Sequence, residues 1–274
     1  MLAGWGMFSA RRILYPERRP TPAPDPLPAY TTHTIATPDA TNLEVWRLEA
    51  PAPRARILIC HGYYADRYQV LGLADALRRR GYEVLLFDMR GHGRRRGPCT
   101  LGVKERLDAQ AILRWAGRAD TLAPLPIGVL GFSMGAAVMC QVAAHEPAVG
   151  AIVTDSIYAR LFPVIQQTIR ERYHLPKLPW AVVTWWTLHL LLCRRLSLRD
   201  PSALAPHLHQ PLLAIHGGQD RRVAPQLGQA FYQRWAGPKE QWFDPAVAHV
   251  KMSEAHPQEY CDRIARFFDR TLPG

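Results

Sequence analysis

Gly131-Phe132-Ser133-Met134-Gly135 places a serine between two glycines, each two residues away. A serine hydroxyl is a weak nucleophile unless the backbone presents it sharply and a neighbouring base takes its proton. Small residues on both sides permit the tight strand-to-helix turn that does the presenting. The pentapeptide alone is of moderate specificity, and its setting sharpens it. The apolar run Ile127–Leu130 precedes it and the small-residue stretch Ala136–Ala144 follows, as such a turn requires.

A serine nucleophile needs a base, and the base needs an orienting group. Downstream, Pro211–His216 runs into Gly217-Gly218-Gln219-Asp220, and the stretch after Glu240–Phe243 reaches Ala248-His249. His249 is assigned as general base and then acid, and Asp220 as the carboxylate that holds its tautomer. Alternatives stay open here. Asp220 could instead cap a helix, Asp155 is a second candidate acid, and His256 is a rival base, although its place before Pro257 suits a helix start. The developing oxyanion calls for backbone N–H donors. Met134, next to the serine, supplies one, and Tyr63 in the loop His61-Gly62-Tyr63 supplies the other. His61 itself fits a structural hydrogen bonder better than a base.

For these residues to meet, the ends of several strands must converge. Arg56–Cys60, Tyr82–Asp88, Ile127–Leu130, Gly150–Thr154 and Pro211–His216 read as strands buried on both faces, with Glu240–Phe243 as a further one. Tyr68–Arg80, Val103–Ala116, Ala136–His145 and Glu259–Leu272 carry helical spacing. Thr31–Thr37 and Leu43–Leu48 around Pro38-Asp39-Ala40 read as a hairpin. Strands alternating with helices mean a mostly parallel sheet. Active-site residues of such sheets lie beyond the carboxyl ends of the strands, where His61-Gly62, Asp88, Ser133, Asp155 and Asp220 all fall.

The alternation breaks at about residues 158–199. Within that insert, Leu178–Cys193 carries no charge and gathers Trp180, Trp185 and Trp186. It reads as a cap helix packed on the sheet, or as a lid lining an acyl pocket or touching lipid. Met1–Ala10 is apolar and precedes Arg11-Arg12, the wrong order for a secretory signal. A frayed or packed helix fits it better than a peripheral anchor, although Trp5 and Phe8 suit an interface. Pro16–Pro28 holds six prolines and reads as an extended linker. The expected organisation is therefore an extension over 1–28 and one domain over 29–274 carrying the cap insertion.

Composition removes other classes. The formal charge is +11, but 30 of the 34 basic residues are arginines in scattered short clusters such as Arg18-Arg19 and Arg94-Arg95-Arg96. No nucleic-acid-binding motif accompanies them, so a solvated basic surface is expected rather than a nucleic-acid site. Five widely spaced cysteines without a CxxC argue against a disulfide framework or zinc site and for a reducing, cytoplasmic compartment. Peripheral membrane association through 1–10 or 178–193 stays open, and oligomeric state is unset.

The chain resembles the α/β-hydrolase superfamily, nearest its Bem46-like and serine-aminopeptidase-like members. The stretches ILICHGYYADR, RRRGYEVLLFDMRGHGRRRGPCTLGVKERLDA, IGVLGFSMGAA, IVTDSIY, DPSALAPHLHQPLLAIHGGQD and AHV follow in family order, over about 56–157 and 200–270. The order Ser133, Asp220, His249 is that family's order. The resemblance implies an α/β-hydrolase fold, a mostly parallel central sheet flanked by helices with a helical cap insertion. It also implies Ser133, Asp220 and His249 as the triad, with Tyr63 and Met134 as the oxyanion hole. Dehalogenases and epoxide hydrolases of this fold carry Asp at the nucleophile position, so Ser133 argues against both. The 158–199 insert matches no lid of the family, and PAVAHV departs from the commoner Pro-Gly-x-His approach. The expected function is hydrolysis of a small-molecule carboxylic ester, apolar in its acyl or alcohol part, with no cofactor or metal. A thioesterase, amidase, peptidase or acyltransferase would use the same triad, and a non-catalytic membrane-surface protein is the reading from outside enzymology.

Overall fold

The computed structural model describes residues 2–18, 21–118 and 124–272. Arg19 of the Arg18-Arg19 cluster and Met1 of the apolar N-terminal stretch lie outside them. The elements in order are α1 (Leu2–Leu14), β1 (Thr31–Ala36), β2 (Asn42–Leu48), β3 (Ala55–Cys60), α2 (Tyr68–Arg79) and β4 (Tyr82–Phe87). There follow α3 (Glu105–Ala116), β5 (Ile127–Phe132), α4 (Met134–Ala143), β6 (Val149–Asp155), α5 (Leu161–Tyr173), α6 (Trp180–Leu192) and α7 (Pro201–Leu204). The chain closes with β7 (Leu212–Gly217), α8 (Pro225–Arg234), β8 (Lys239–Asp244), α9 (Met252–Ala255) and α10 (Pro257–Thr271).

The strands form one sheet in the order β1-β2-β4-β3-β5-β6-β7-β8. Strands β3 to β8 run parallel, and the β1–β2 hairpin, with Ile35 opposite Leu43, adds antiparallel pairs at one edge. The period of two sorts the core. Leu58 and Cys60 of β3 and Ile127 and Val129 of β5 pack on one face with α3 and α4. Ile57 and Ile59, with Leu130 and Phe132, pack on the other with α2 and α10. Both faces are covered, so these strands show apolar runs rather than alternation.

The chain leaves β3 for β4 on one side, then crosses to β5 on the other. Strand order thus reverses between β3 and β5, and a crevice opens at their carboxyl ends. The loops after β3 (Cys60-His61-Gly62) and β5 (Ser133) meet there.

The cap departs from the expected arrangement. It comprises two helices, and α5, rather than the Trp-rich α6, lines the cleft at Ser133. The N-terminal α1 takes the packed form of the two expected: Trp5, Ser9 and Gly6 pack against α6, and Ala10, Ile13 and Leu14 join the main core.

Candidate active site

Ser133 occupies the turn between β5 and α4 with φ +52° and ψ −112°, a region that non-glycine residues enter only under constraint. The constraint is close backbone packing. A Cβ on Gly135 would lie 2.4 Å from the carbonyl oxygens of Cys60 and His61, and one on Gly131 would lie 2.5 Å from the Ala136 backbone. The glycines let α4 press against β3 while the Ser133 N–H is tied to the Asp155 carbonyl at 2.8 Å. The side chain between them is pushed out of the sheet.

His249, in the loop between β8 and α9, reaches Ser133 from the far side. Its Nε2 is 3.1 Å from Ser133 Oγ and its Nδ1 is 2.6 Å from Asp220 Oδ2. Asp220, buried beyond β7, has its other oxygen filled: Oδ1 accepts the Arg222 N–H (3.0 Å) and the Val223 N–H (2.7 Å). Its carboxylate plane is therefore fixed with Oδ2 aimed at the imidazole. The three residues share one relay able to move the Ser133 proton to the ring and hold the resulting imidazolium.

The structure puts the rival residues elsewhere. Asp155 is buried and does not touch His249. Its Oδ2 accepts the Tyr260 hydroxyl (2.8 Å) and its Oδ1 accepts the Ser156 hydroxyl (2.8 Å), and burial pushes its carboxyl up to about 6. Ser156 Oγ in turn accepts the Val250 N–H at 3.0 Å, so Asp155 fastens the loop that carries His249. His256 sits on Asp244, with Nε2 2.7 Å from Oδ2, and marks the start of α10. His61 is buried, which lowers its basicity. Its Nε2 accepts the Met89 N–H at 3.0 Å and its Nδ1 donates to the Gly62 carbonyl at 2.8 Å, a structural tie between the loops after β3 and β4.

Ser156→Ala removes the tether of Val250 without touching Ser133, Asp220 or His249. The expected result is a kcat lowered about tenfold, with KM and the thermal transition little changed, because small displacements of a reacting group cost large factors. Steady-state kinetics beside a melting curve check it, and an unchanged kcat would show that the His249 loop does not need this bond.

Tyr63 and Met134 border the clefts at Ser133, and their backbone N–H groups find no acceptor among the described residues. The Tyr63 phenol donates to the Ile13 carbonyl at 2.6 Å, which anchors the loop to α1. Two clefts meet at Ser133. One, of about 370 Å³, runs under the cap between Leu101, Met134, Tyr158, Leu161, Val164 and Ile165. The other, of about 640 Å³, is more polar and passes His249, Gln69, Lys251 and Glu254. Sequence reasoning missed Ile13, Arg172 and Arg222 on these walls. For Arg222 the available signal was its position two residues after Asp220. Among the described residues no three His, Cys, Asp or Glu side chains are grouped to hold a metal ion.

A family model described as the alpha/beta hydrolase fold matches residues 55–180, from β3 to the first residue of α6. The chain is 31% identical over 266 residues to the uncharacterized protein Rv2307c of Mycobacterium tuberculosis, covering 95% of this chain and 88% of that protein. It superposes on the Pyrococcus furiosus esterase Pf2001 with a TM-score of 0.77 at 25% identity, over 95% of this chain and 98% of that one. The Pyrococcus horikoshii acylaminoacyl peptidase shares the fold, with a TM-score of 0.68 at 16% identity over 89% of this chain and 42% of that one.

Proposed function

This chain belongs to the α/β-hydrolase superfamily, and on that footing we propose that it is a serine esterase that cleaves carboxylic esters with an apolar acyl part. The observation that carries the reading is His249 bridging Ser133 and Asp220 at 3.1 Å and 2.6 Å. Ser133 Oγ attacks the ester carbonyl as His249 Nε2 takes its proton. The Tyr63 and Met134 N–H groups receive the oxyanion. His249 returns the proton to the leaving alcohol, and an acyl group stays on Ser133. Water then gives a proton to His249 and attacks the acyl carbon; the acyl–Oγ bond breaks, His249 hands that proton to Ser133 Oγ, and the acid leaves. The likeness to an esterase along nearly the whole chain supports an ester as substrate. In this reading residues 29–274 are the catalytic domain and 158–199 its cap.

The two clefts divide the substrate. The apolar one takes the acyl chain and the polar one, which His249 borders, takes the leaving alcohol. Each methylene added to the acyl chain is expected to raise kcat/KM about fourfold until the cleft is full. Ile165→Trp, which fills the cleft, should shift the preference to acetyl esters and leave acetyl turnover near wild type. A preference for long chains that survives this substitution would move the acyl site elsewhere.

The direct test is labelling with a fluorescent fluorophosphonate beside turnover of p-nitrophenyl esters, the matching thioester and the matching anilide. Labelling with ester turnover above the other two supports the proposal. Labelling with preferred thioester or anilide turnover keeps the nucleophile and replaces the substrate class. No labelling and no turnover removes the nucleophile itself.

A further inference from the structure

Helices α1 and α6 lie side by side on the outside of the cap, and the seam between them is their polar part. Ser9 Oγ and Thr184 Oγ1 are 2.7 Å apart, and Trp5 Nε1 donates to Thr184 Oγ1 at 3.2 Å. Gly6 lies against Thr187, where a Cβ would come within 2.4 Å of the hydroxyl oxygen. Ala10, Ile13 and Leu14 of α1 and Ala181 and Leu188 of α6 are buried, and a second set of apolar side chains faces outward. Phe8 is 52% exposed, Trp186 67% and Leu190 73%, with Leu2, Met7 and Leu191 also open. A surface helix ordinarily turns polar residues outward, and here large apolar ones stand there instead. Moreover, α6 carries no charged residue in its length, and a helix apolar all round is normally buried in protein or in contact with lipid.

The exposed residues form ordered stripes. On α1, Met7 and Arg11 follow at a four-residue step that Tyr15 continues just past its end; on α6, Trp186 and Leu190 do the same, and Arg194 continues the spacing just past its end. Cations frame both stripes. Residues 2–16 and 174–199 contain no Asp or Glu, while Arg11, Lys177, Arg194 and Arg195 flank the apolar positions. In the Arg78–Arg80 cluster every arginine is paired, Arg78 and Arg79 with Asp75 and Arg80 with Asp262, and Arg95 is paired with Asp108. Among the described residues Arg11, Arg194 and Arg195 make no ion pair.

Trp and Leu framed by unpaired arginines match the boundary of an anionic bilayer, where rings and aliphatic chains sink to the acyl region and guanidinium groups meet phosphates. No described helix is long and apolar enough to cross a membrane, so the contact is peripheral. A second copy of the chain would bring two acid-free basic rims together. We propose that the outer face of the α1–α6 pair docks onto an anionic lipid surface. The docked face lies one helix layer above the acyl cleft: α5, which lines that cleft, packs under α6, and Ile13 of α1 lines it directly. An ester partitioned in the bilayer would therefore meet the cleft at its membrane side. This last consequence rests on the esterase reading, whereas the docking does not.

The experiment is flotation of the full chain with vesicles of phosphatidylcholine alone or mixed with phosphatidylglycerol. Binding to the mixed vesicles, weakened by high salt, is expected. Arg194→Gln with Arg195→Gln should bind about 30-fold more weakly, and Trp186→Ser with Leu190→Ser about 100-fold more weakly. Both double variants should keep wild-type melting curves and wild-type turnover of a soluble p-nitrophenyl acetate. Ser133→Ala should float as wild type does, so a failure of docking and a failure of hydrolysis are read separately. Absence of binding to the mixed vesicles, or binding unchanged by both double variants, overturns the proposal. So does a dimer in light scattering that Trp186→Ser with Leu190→Ser dissociates in a chain that ignores vesicles.

Discussion

Ser133→Ala is expected to lower kcat for p-nitrophenyl esters about 10⁶-fold and to abolish fluorophosphonate labelling. The size follows from what the substitution takes away. Without Oγ there is no acyl-enzyme, so Asp220 and His249 have nothing to activate, and only binding and the oxyanion donors remain. The fold should not notice. Ser133 Oγ makes one hydrogen bond, to His249, and alanine keeps the same backbone strain at φ +52°. A wild-type melting curve beside lost turnover is thus the expected pair of results. Residual turnover within a hundredfold of wild type would mean that another residue attacks the ester.

The second large effect is Asp220→Asn, expected to lower kcat about 10⁴-fold. The buried surroundings dictate how the asparagine must sit. Two backbone N–H groups, of Arg222 and Val223, point at Oδ1, so the amide oxygen stays there and the NH₂ turns to His249. An NH₂ facing Nδ1 needs that nitrogen to accept. The ring proton then moves to Nε2, which can no longer take the Ser133 proton. Asp220→Ala lacks this forced tautomer, so it should be no worse than Asp220→Asn despite losing more atoms. Kinetics of the two variants side by side check the argument. An asparagine variant within tenfold of wild type would show that His249 does not depend on Asp220 for its tautomer.

How far such details are legible in a sequence depends on their range. The turn at Ser133 is local: two glycines and the flanking strand and helix are all within ten or so residues, and each has its own pattern. The parallel sheet is legible because strands buried on both faces leave continuous apolar runs, as in Ile57–Cys60. Asp155 and Asp220 look alike in the chain, since each follows a buried strand. They separate only because Tyr260 and Ser156 occupy one carboxyl group while His249 meets the other. The roles of the cap helices were harder still. Apolar stripes on α5 and apolar composition in α6 both say that something covers them, and neither says what. The partner that decides it is α1, whose contacts with α6 span more than 170 residues of chain, beyond the reach of any periodicity.

That same span has a consequence in time. A ribosome adding roughly 5–20 residues per second releases α1 about 10 to 35 seconds before α6 exists. Throughout that interval Trp5, Gly6 and Ser9 have no α6 to pack against. Closing so long a loop is also costly before its contacts can repay it. The seam of Ser9, Gly6, Thr184 and Thr187 is therefore a late step of folding, and the wall that Ile13 lends to the acyl cleft is finished with it. A nascent chain halted before residue 180 would hold its serine turn complete while the side of α1 that meets α6 stood uncovered.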